Sequence, residues 1–434
     1  FIMKFIKPSV VRGVVLAPPS KSAMQRTLFA ASLCAKNCAE ETTIRNPSLS
    51  ADALAARSVI EALGATVRIS SEMLGDHQRE VWFVRGGGTP RTSKINCGEA
   101  GVTFRMALSL CARFSQEFEL TGEGSLLRRP LPDIEASLAS LGVSYRTASG
   151  SKFPPVFVRG PMRGGQVRVD GSLTSQFISG LLFALPVCPG ESELEVNNLV
   201  SLPYIKMTLE TLATFGIKIA HSSDYSRFMV SGSQRYQPQS LQIEGDWSGA
   251  SVWLALAAIR GELGVEGLSE DSLQADVAML TAVRRTGAIV SRHRSTLHVS
   301  PDTSQGPPKA FEFDATDCPD LFPALVVLAA GCRGRSVIRG ARRLLAKESN
   351  RAQVLVQEGR KIGLEISWSD DQIEVIGGEL VGGTIDAHND HRIAMAFSAL
   401  GCLSQQGVTI QGSECVNKSY PEFFEDLAKL AAEE

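Results

Sequence analysis

The sequence predicts an α/β (α+β) fold of two pseudo-symmetric domains, each made of three similar units. Three observations predict it. The first is a recurring segment: a short polar opening rich in Gly, Ser and Asp, then a helix of Ala, Leu, Phe and Met. It begins at Pro19, Gly98, Gly171, Gly245, Thr316 and His388, and its helices end at Leu33, Leu110, Leu185, Ala258, Ala329 and Leu400. Those ends lie 71 to 77 residues apart, a regularity that marks an internal structural repeat. The second is a motif between these segments, in which an amphipathic helix meets a Gly and then a β-branched strand. It is expected at residues 53–63 with Gly64, 205–215 with Gly216, 273–286 with Gly287, and 352–362 with Gly363. The third is length. A chain of 434 residues is too long for one ordinary core, and six units of about 70 residues divide into two domains of usual size.

Composition narrows the class. Lys plus Arg number 44 against 46 for Asp plus Glu, so any positive patch is local. That balance argues against nucleic acid or an acidic membrane as partner. Hydrophobic residues make up 44%, enough for full-sized cores. Nine Cys, at 34, 38, 97, 111, 188, 318, 332, 402 and 415, form no CxxC pair, and only six His are present. No zinc site can be drawn, and neither metal nor cofactor is implied. Small buried thiols in a reducing compartment are expected. No apolar run is long enough to cross a membrane. Met3 reads as the native start, with no leader or transit pattern, so the cytoplasm is the expected location. The stretch 232–240, rich in Ser, Gln, Pro and Gly, precedes the fourth opening and helps to place the join between domains.

The polar openings carry the chemistry. A helix N-terminus presents unpaired N–H groups and attracts anions. Ser, Thr, Asp or Asn at such a place is explained by capping alone. Lys and Arg are not, because they oppose the helix dipole. The first opening nevertheless has Lys21, Ser22 and Arg26, and the second Gly101 and Arg105. The third has Thr174, Ser175 and Gln176, and the sixth Asn389, Asp390, His391 and Arg392. Two loops add charge: Leu126-Leu-Arg128-Arg129-Pro130, and Ala346-Lys347-Glu348-Ser-Asn-Arg351. Lys418 lies near the C-terminus. Arg suits carboxylate and phosphate because its fork binds two oxygens at once. These groups describe a cleft for two multiply anionic ligands.

Several of these segments together carry a family resemblance. They are Pro18-Pro19-Ser-Lys-Ser-Ala-Met-Gln-Arg26, Gly171-Ser-Leu-Thr-Ser-Gln176, Ser201-Leu-Pro-Tyr204, Pro319-Asp320, Ala346-Lys-Glu-Ser-Asn-Arg351 and Asn389-Asp-His-Arg392. In this order and over essentially the whole chain, they resemble the 5-enolpyruvylshikimate-3-phosphate (EPSP) synthases, the 3-phosphoshikimate 1-carboxyvinyltransferases. The resemblance implies two domains of three βαβαββ units each, an inside-out α/β barrel arrangement with the active site in the interdomain cleft. It implies domain 1 as residues 1–17 plus 242–434, completed by the N-terminal strand, and domain 2 as residues 18–241. It implies a monomer acting on shikimate 3-phosphate and phosphoenolpyruvate in the shikimate pathway.

The resemblance also implies roles. Lys21, Ser22, Arg26, Thr174, Ser175, Gln176, Ser201, Asp320 and Lys347 match positions that hold shikimate 3-phosphate. Lys21, Gly101, Arg129, Gln176, Arg351, Arg392 and Lys418 match positions around phosphoenolpyruvate. Asp320 matches the base that takes the 5-hydroxyl proton, Glu348 the acid that protonates the methylene carbon, and Lys21 is expected beside them as a third catalytic residue. Two carboxylates in different surroundings can divide that work. The second helix start departs from the family, with Glu99, Val102 and Met106 where Asn, Thr and Pro are common. Glu99 is expected either to cap that helix or to crowd the phosphoenolpyruvate site. The changed helix face implies altered sensitivity to the inhibitor glyphosate. The sister transferase acting on UDP-N-acetylglucosamine uses a loop Cys as its acid, and residues 123–130 contain none. A non-catalytic protein binding phosphorylated metabolites would explain the cations but not Asp320 and Glu348 together.

Overall fold

The computed structural model describes residues 2–35, 40–74, 77–345 and 347–432, so Cys38 and Ala346 lie outside the described residues. By its internal contacts the chain forms two compact units, Phe1–Pro18 with Glu244–Glu434, and Pro19–Ile243.

The unit Pro19–Ile243 holds three four-stranded sheets of one design: a parallel pair followed by two antiparallel strands. In the first, Ser240–Gln242 runs parallel to Thr42–Arg45, which is followed by His77–Arg85 and Thr66–Leu74. In the second, Lys94–Asn96 runs parallel to Glu117–Thr121, with Val156–Arg159 and Ser144–Thr147 beyond. Gln166–Asp170, Ser192–Asn197, Arg227–Val230 and Ile219–His221 repeat the order. Within the second and third repeats the chain reads strand, helix, strand, helix, strand, strand. The first repeat takes its opening strand from Ser240–Gln242, so the Ser- and Pro-rich stretch before it is built into this unit. Tyr236 there is buried and donates to the Phe183 carbonyl at 2.7 Å.

The other unit follows the same plan. Val10–Leu16 runs parallel to Gly261–Glu266, followed by Thr296–Ser300 and Ile289–His293. Glu312–Asp314, Gly334–Arg339, Gln372–Gly377 and Glu365–Ser369 form the next sheet. In the last, Gly383–Asp386 runs parallel to Val408–Gln411, and the antiparallel place is filled by Met3–Ile6. The N-terminal strands thus complete two sheets of a unit that otherwise begins at Glu244.

The helices explain the layering. Those that follow the polar openings are buried on nearly every side, and such a helix is stable only when surrounded. Trp247–Ile259, Phe322–Ala330 and His391–Leu403 pack on one another in one unit. In the other, Gly101–Cys111 packs closely on Gln176–Ala184 and touches Lys21–Ser32. The second helices, such as Ala51–Ala62 and Arg351–Lys361, bury one stripe only. Gly64 after the first of these has φ +109°, and a Cβ there would lie 2.5 Å from the Gly88 backbone, so no other residue ends that helix. The expected single helix over 273–286 is instead a 3₁₀ turn, Ala275–Ala278, leading into the α-helix Met279–Arg285. All eight described cysteines are free and buried.

Candidate active site

The expected residues fall in two sets, one in each unit. In Pro19–Ile243, Lys21 is the first residue of its helix, capped by Ser20, whose side chain accepts from Ala23 N. A cation at that end is unfavourable by itself. Its partner is Asp52, in the first turn of the next helix, with Nζ 2.7 Å from Oδ2. One turn on, Arg26 is fully buried and bonded to neutral oxygens. Its Nε donates to Thr208 Oγ1 at 3.0 Å, Nη1 to the Ser22 carbonyl at 3.0 Å, and Nη2 to the Tyr204 carbonyl at 3.3 Å. Burial among neutral groups pulls this guanidinium down to about 10. Tyr204 follows Ser201, a non-glycine residue held left-handed at φ +59° where the helix Leu202–Thr214 begins. Thr208 also meets Ser179 of the third apolar helix at 2.8 Å.

Gly101, Arg129 and Gln176 come together around a residue outside the expected binding set, Arg105. Arg105 Nη1 donates to Gln176 Oε1 at 3.0 Å, and Nη2 to the Pro130 carbonyl at 3.3 Å. A Cβ on Gly101 would lie 2.8 Å from both Arg105 Nη1 and Arg129 Nη1, so a larger residue here would push these two guanidinium groups aside. The pairing of Arg105 with Gln176 depends on a close helix crossing. A Cβ on Gly180 would lie 2.9 Å from Ser109 Oγ and 3.0 Å from the Arg105 carbonyl. Thr174 Oγ1 accepts from the Gln176 amide at 3.2 Å, and Ser175 is buried at the N-cap of that helix.

Glu99 does not cap its helix. The helix Gly101–Cys111 begins after Ala100 with no side-chain cap. The Glu99 carboxylate accepts instead from Ser125 N at 2.9 Å and Ser125 Oγ at 3.0 Å. It thereby fastens the 3₁₀ turn Gly124–Arg128, which delivers Arg129. Gly124 lets it reach, since a Cβ there would lie 2.5 Å from the carboxylate. Val102 is half-buried and Met106 fully buried against this unit's core.

In the other unit, one guanidinium organises the site. Arg351 opens its helix, fully buried, and binds three carboxylates. Nε and Nη2 hold both oxygens of Asp390 at 2.9 and 3.1 Å. Nη1 holds Asp320 Oδ1 at 3.0 Å, and Nη2 holds Glu348 Oε2 at 2.7 Å. Burial alone would lower this guanidinium, but Asp390, Glu348 and Asp320 outweigh it and raise it above its ordinary value. Asp320 also accepts from Lys347 Nζ at 3.1 Å and lies 3.7 Å from Arg392 Nη2. Burial pulls Lys347 below the ordinary lysine value, with Asp320 opposing and Arg351 adding to the shift. Arg392 is pulled down by burial and lifted above its ordinary value chiefly by Asp320.

Asp390 caps the helix His391–Leu403 through the Arg392 amide at 3.0 Å and accepts from Ser349 Oγ at 3.0 Å. The turn before it, His388 and Asn389, is left-handed at both residues, with φ of 51° and 54°. Buried Glu358 holds that turn through His388 Nε2 at 3.0 Å and the Asp386 amide at 3.1 Å. Lys418 holds it from the other side, with Nζ donating to the Asn389 carbonyl at 2.7 Å.

Thus Asp320, Lys347, Glu348, Arg351 and Arg392 form one connected cluster, with Lys418 on the adjoining turn. Asp52, Arg105 and Asp390 are the partners that the expected binding set lacked. Arg105 and Asp390 had visible signals, a charge inside an apolar helix and an acid at a helix start. Asp52 had only its place in a first turn.

Comparisons with known proteins give the family and the fold. Residues 6–427 match the family model described as EPSP synthase (3-phosphoshikimate 1-carboxyvinyltransferase). A 3-phosphoshikimate 1-carboxyvinyltransferase of Clostridium kluyveri is 34% identical over 430 residues, covering 99% of this chain and 97% of that one. One from Methanopyrus kandleri is 36% identical over 425 residues, covering 97% and 96%. Among solved structures, EPSP synthase from Acinetobacter baumannii superposes with a TM-score of 0.80 at 23% identity over 99% of this chain and 98% of that one. The enolpyruvyl transferase NikO from Streptomyces tendae gives 0.75 at 17% identity over 99% and 97%, a likeness of fold alone. With a family model spanning nearly its whole length and relatives this similar over theirs, the chain belongs to the EPSP synthase family.

Proposed function

We infer that this chain transfers the enolpyruvyl (carboxyvinyl) group of phosphoenolpyruvate to the 5-hydroxyl of shikimate 3-phosphate and releases phosphate. The step belongs to the shikimate pathway, which leads to chorismate and the aromatic amino acids. The observation that carries the reading is one buried guanidinium shared by two carboxylates, Arg351 with Asp320 on Nη1 and Glu348 on Nη2.

That arrangement suits the addition of an alcohol to an enol. The 5-hydroxyl oxygen attacks C2 of phosphoenolpyruvate while its proton passes to Asp320. The C3 methylene takes a proton from Glu348 and becomes a methyl group, giving a tetrahedral intermediate. Loss of phosphate and of one methyl proton, returned to Glu348, restores the double bond. General acid–base work of this kind contributes about 10²- to 10⁴-fold in rate. A carboxylate on a guanidinium is a poor acid. An incoming substrate carboxylate that takes Arg351 Nη2 from Glu348 relieves this, because Glu348 then sits beside an anion and binds a proton more tightly.

In the same reading, Lys21, Ser22, Arg26, Thr174, Ser175, Gln176, Ser201, Asp320 and Lys347 bind shikimate 3-phosphate. Lys21, Gly101, Arg129, Gln176, Arg351, Arg392 and Lys418 bind phosphoenolpyruvate. Arg26, with its hydrogen bonds to neutral oxygens, is a cation available to an anion. The two compact units are taken as the two domains. The enzyme is read as a cytoplasmic monomer, in keeping with free buried thiols.

The test is turnover in D2O. Deuterium is expected in the vinyl methylene of the product, because a methyl carrying one solvent deuteron loses one of three hydrogens at random. Product free of deuterium would rule out protonation at that carbon.

A further inference from the structure

The helix Arg351–Lys361 holds the turn Asp386–Asp390 at both ends. Arg351 and Glu358 stand two helical turns apart, so they share one face, and both are buried there. Arg351 grips Asp390 at the far end of the turn, Nε to Oδ2 at 2.9 Å. Glu358 grips the near end. Its Oε2 accepts from the Asp386 amide at 3.1 Å, and its Oε1 from His388 Nε2 at 3.0 Å. Lys361 Nζ donates to both oxygens, at 2.8 and 2.7 Å. Burial would raise this carboxyl, but the bonds from His388, Lys361 and Asp386 outweigh it and hold the group below its ordinary value. The proposed chemistry uses Arg351 and gives Glu358 no part.

The turn needs such a grip. His388 and Asn389 are both left-handed, at φ 51° and 54°, and neither is glycine. That conformation is costly for a residue with a side chain and persists only where its surroundings hold it. It also decides where the Asn389 carbonyl points. This carbonyl accepts from Lys418 Nζ at 2.7 Å. A lysine head on a flexible four-carbon stem has many rotamers, and a fixed acceptor selects among them. Asp390 is held independently, by Arg351 and by Ser349 Oγ at 3.0 Å. Loss of Glu358 therefore loosens the turn at 386–389 and leaves the cap of the next helix in place.

We propose that Glu358 is a positioning residue for phosphoenolpyruvate: it fixes the left-handed turn, the turn fixes the Asn389 carbonyl, and the carbonyl fixes the head of Lys418. The inference rests on the reading above, in which Lys418 binds phosphoenolpyruvate. Glu358→Gln isolates the effect. The amide keeps the volume of the acid but has one accepting oxygen where the carboxylate uses two, so either the Asp386 amide or His388 Nε2 loses its bond. The turn then relaxes toward ordinary backbone angles, and the carbonyl swings away from Lys418.

The experiment is a double-mutant cycle on KM for phosphoenolpyruvate. In the enzyme with Lys418, Glu358→Gln is expected to raise that KM about 10-fold, a coupling usual within one hydrogen-bond network. The kcat and the KM for shikimate 3-phosphate should change much less. In a Lys418→Ala background the same substitution should leave KM for phosphoenolpyruvate within about twofold. An equal rise in both backgrounds, or no rise in the enzyme with Lys418, overturns the proposal and leaves the reaction standing. A wild-type enzyme with no turnover of phosphoenolpyruvate, or a Lys418→Ala variant with unchanged KM, overturns the underlying reading instead. Should Glu358→Gln not fold, the exposed His388 decides. His388→Ala and His388→Gly both lose the imidazole, but glycine takes the left-handed conformation without strain. A KM for phosphoenolpyruvate raised more in His388→Ala than in His388→Gly is expected, and equal values overturn the proposal.

Discussion

Arg351 and Asp390 form a fully buried two-point ion pair, Nε to Oδ2 at 2.9 Å and Nη2 to Oδ1 at 3.1 Å, at the start of two helices. Asp390 is also the N-cap of its helix. Removing one partner of a buried pair costs about 3–5 kcal/mol when the other charge is left alone, and because Arg351 keeps Asp320 and Glu348 the lower end, about 3 kcal/mol, is expected here. Asp390→Ala should lower unfolding stability by that amount in urea titration. A loss under 1 kcal/mol would mean that the pair is not buried as described.

Glu348 shares Nη2 of the same guanidinium with Asp390, but unlike Asp390 it is partly exposed, so its role separates from folding. Glu348→Gln keeps the shape and a hydrogen-bonding oxygen. Turnover should fall about 10²- to 10⁴-fold, while calorimetry still shows both substrates binding. A variant that binds neither substrate would make Glu348 a structural group rather than the acid.

Glu99 acts at one remove, through Ser125 and the turn that delivers Arg129. Glu99→Ala removes two charge-assisted hydrogen bonds, each worth about 1.5–3 kcal/mol in general. Part of this should appear as a KM for phosphoenolpyruvate raised about 10-fold, with kcat much less affected. Glu99→Gln should restore part of the loss. A change confined to kcat would point to a direct part in the reaction.

Burial in the 3₁₀ turn Ala275–Ala278 lifts the Asp276 carboxyl, which predicts a slope in stability. Its folded value of about 7 lies above the ordinary carboxyl value of 3.8, so the folded protein holds a proton there that the unfolded chain releases. The contribution is therefore full below about pH 4 and is lost as pH rises through about 7, on the order of a few kcal/mol. Asp276→Asn should remove this slope from a plot of unfolding free energy against pH. The same slope in both proteins would assign it to another group.

Most of the fold was legible because it repeats. The openings from Pro19 to His388 share one spacing, and a pattern seen six times is harder to mistake than one seen once. Gly64 and its counterparts marked helix ends through a conformation that other side chains disfavour. Pairings between distant segments were not legible from the residues. Nothing local in Ser240–Gln242 says that its partner is Thr42–Arg45. The charges of the site were visible as Lys21, Arg26, Lys347, Arg351 and Arg392, out of place at helix starts. Their partners were less so. Asp52 looks like an ordinary first-turn acid until the fold brings it to Lys21. Glu99 could be assigned to its own helix or to a ligand, and only the loop that Gly124 opens shows it bound to Ser125. Asp276 was hidden inside a stretch that reads as one amphipathic helix, because a 3₁₀ turn leaves little trace in periodicity.

The most direct measurement is phosphate release from phosphoenolpyruvate by the purified enzyme with shikimate 3-phosphate, with UDP-N-acetylglucosamine, or with no acceptor. Release only with shikimate 3-phosphate, abolished by Asp320→Asn, is the predicted result. Release with the nucleotide sugar instead, or none with any acceptor while both anions still bind, would contradict the assignment.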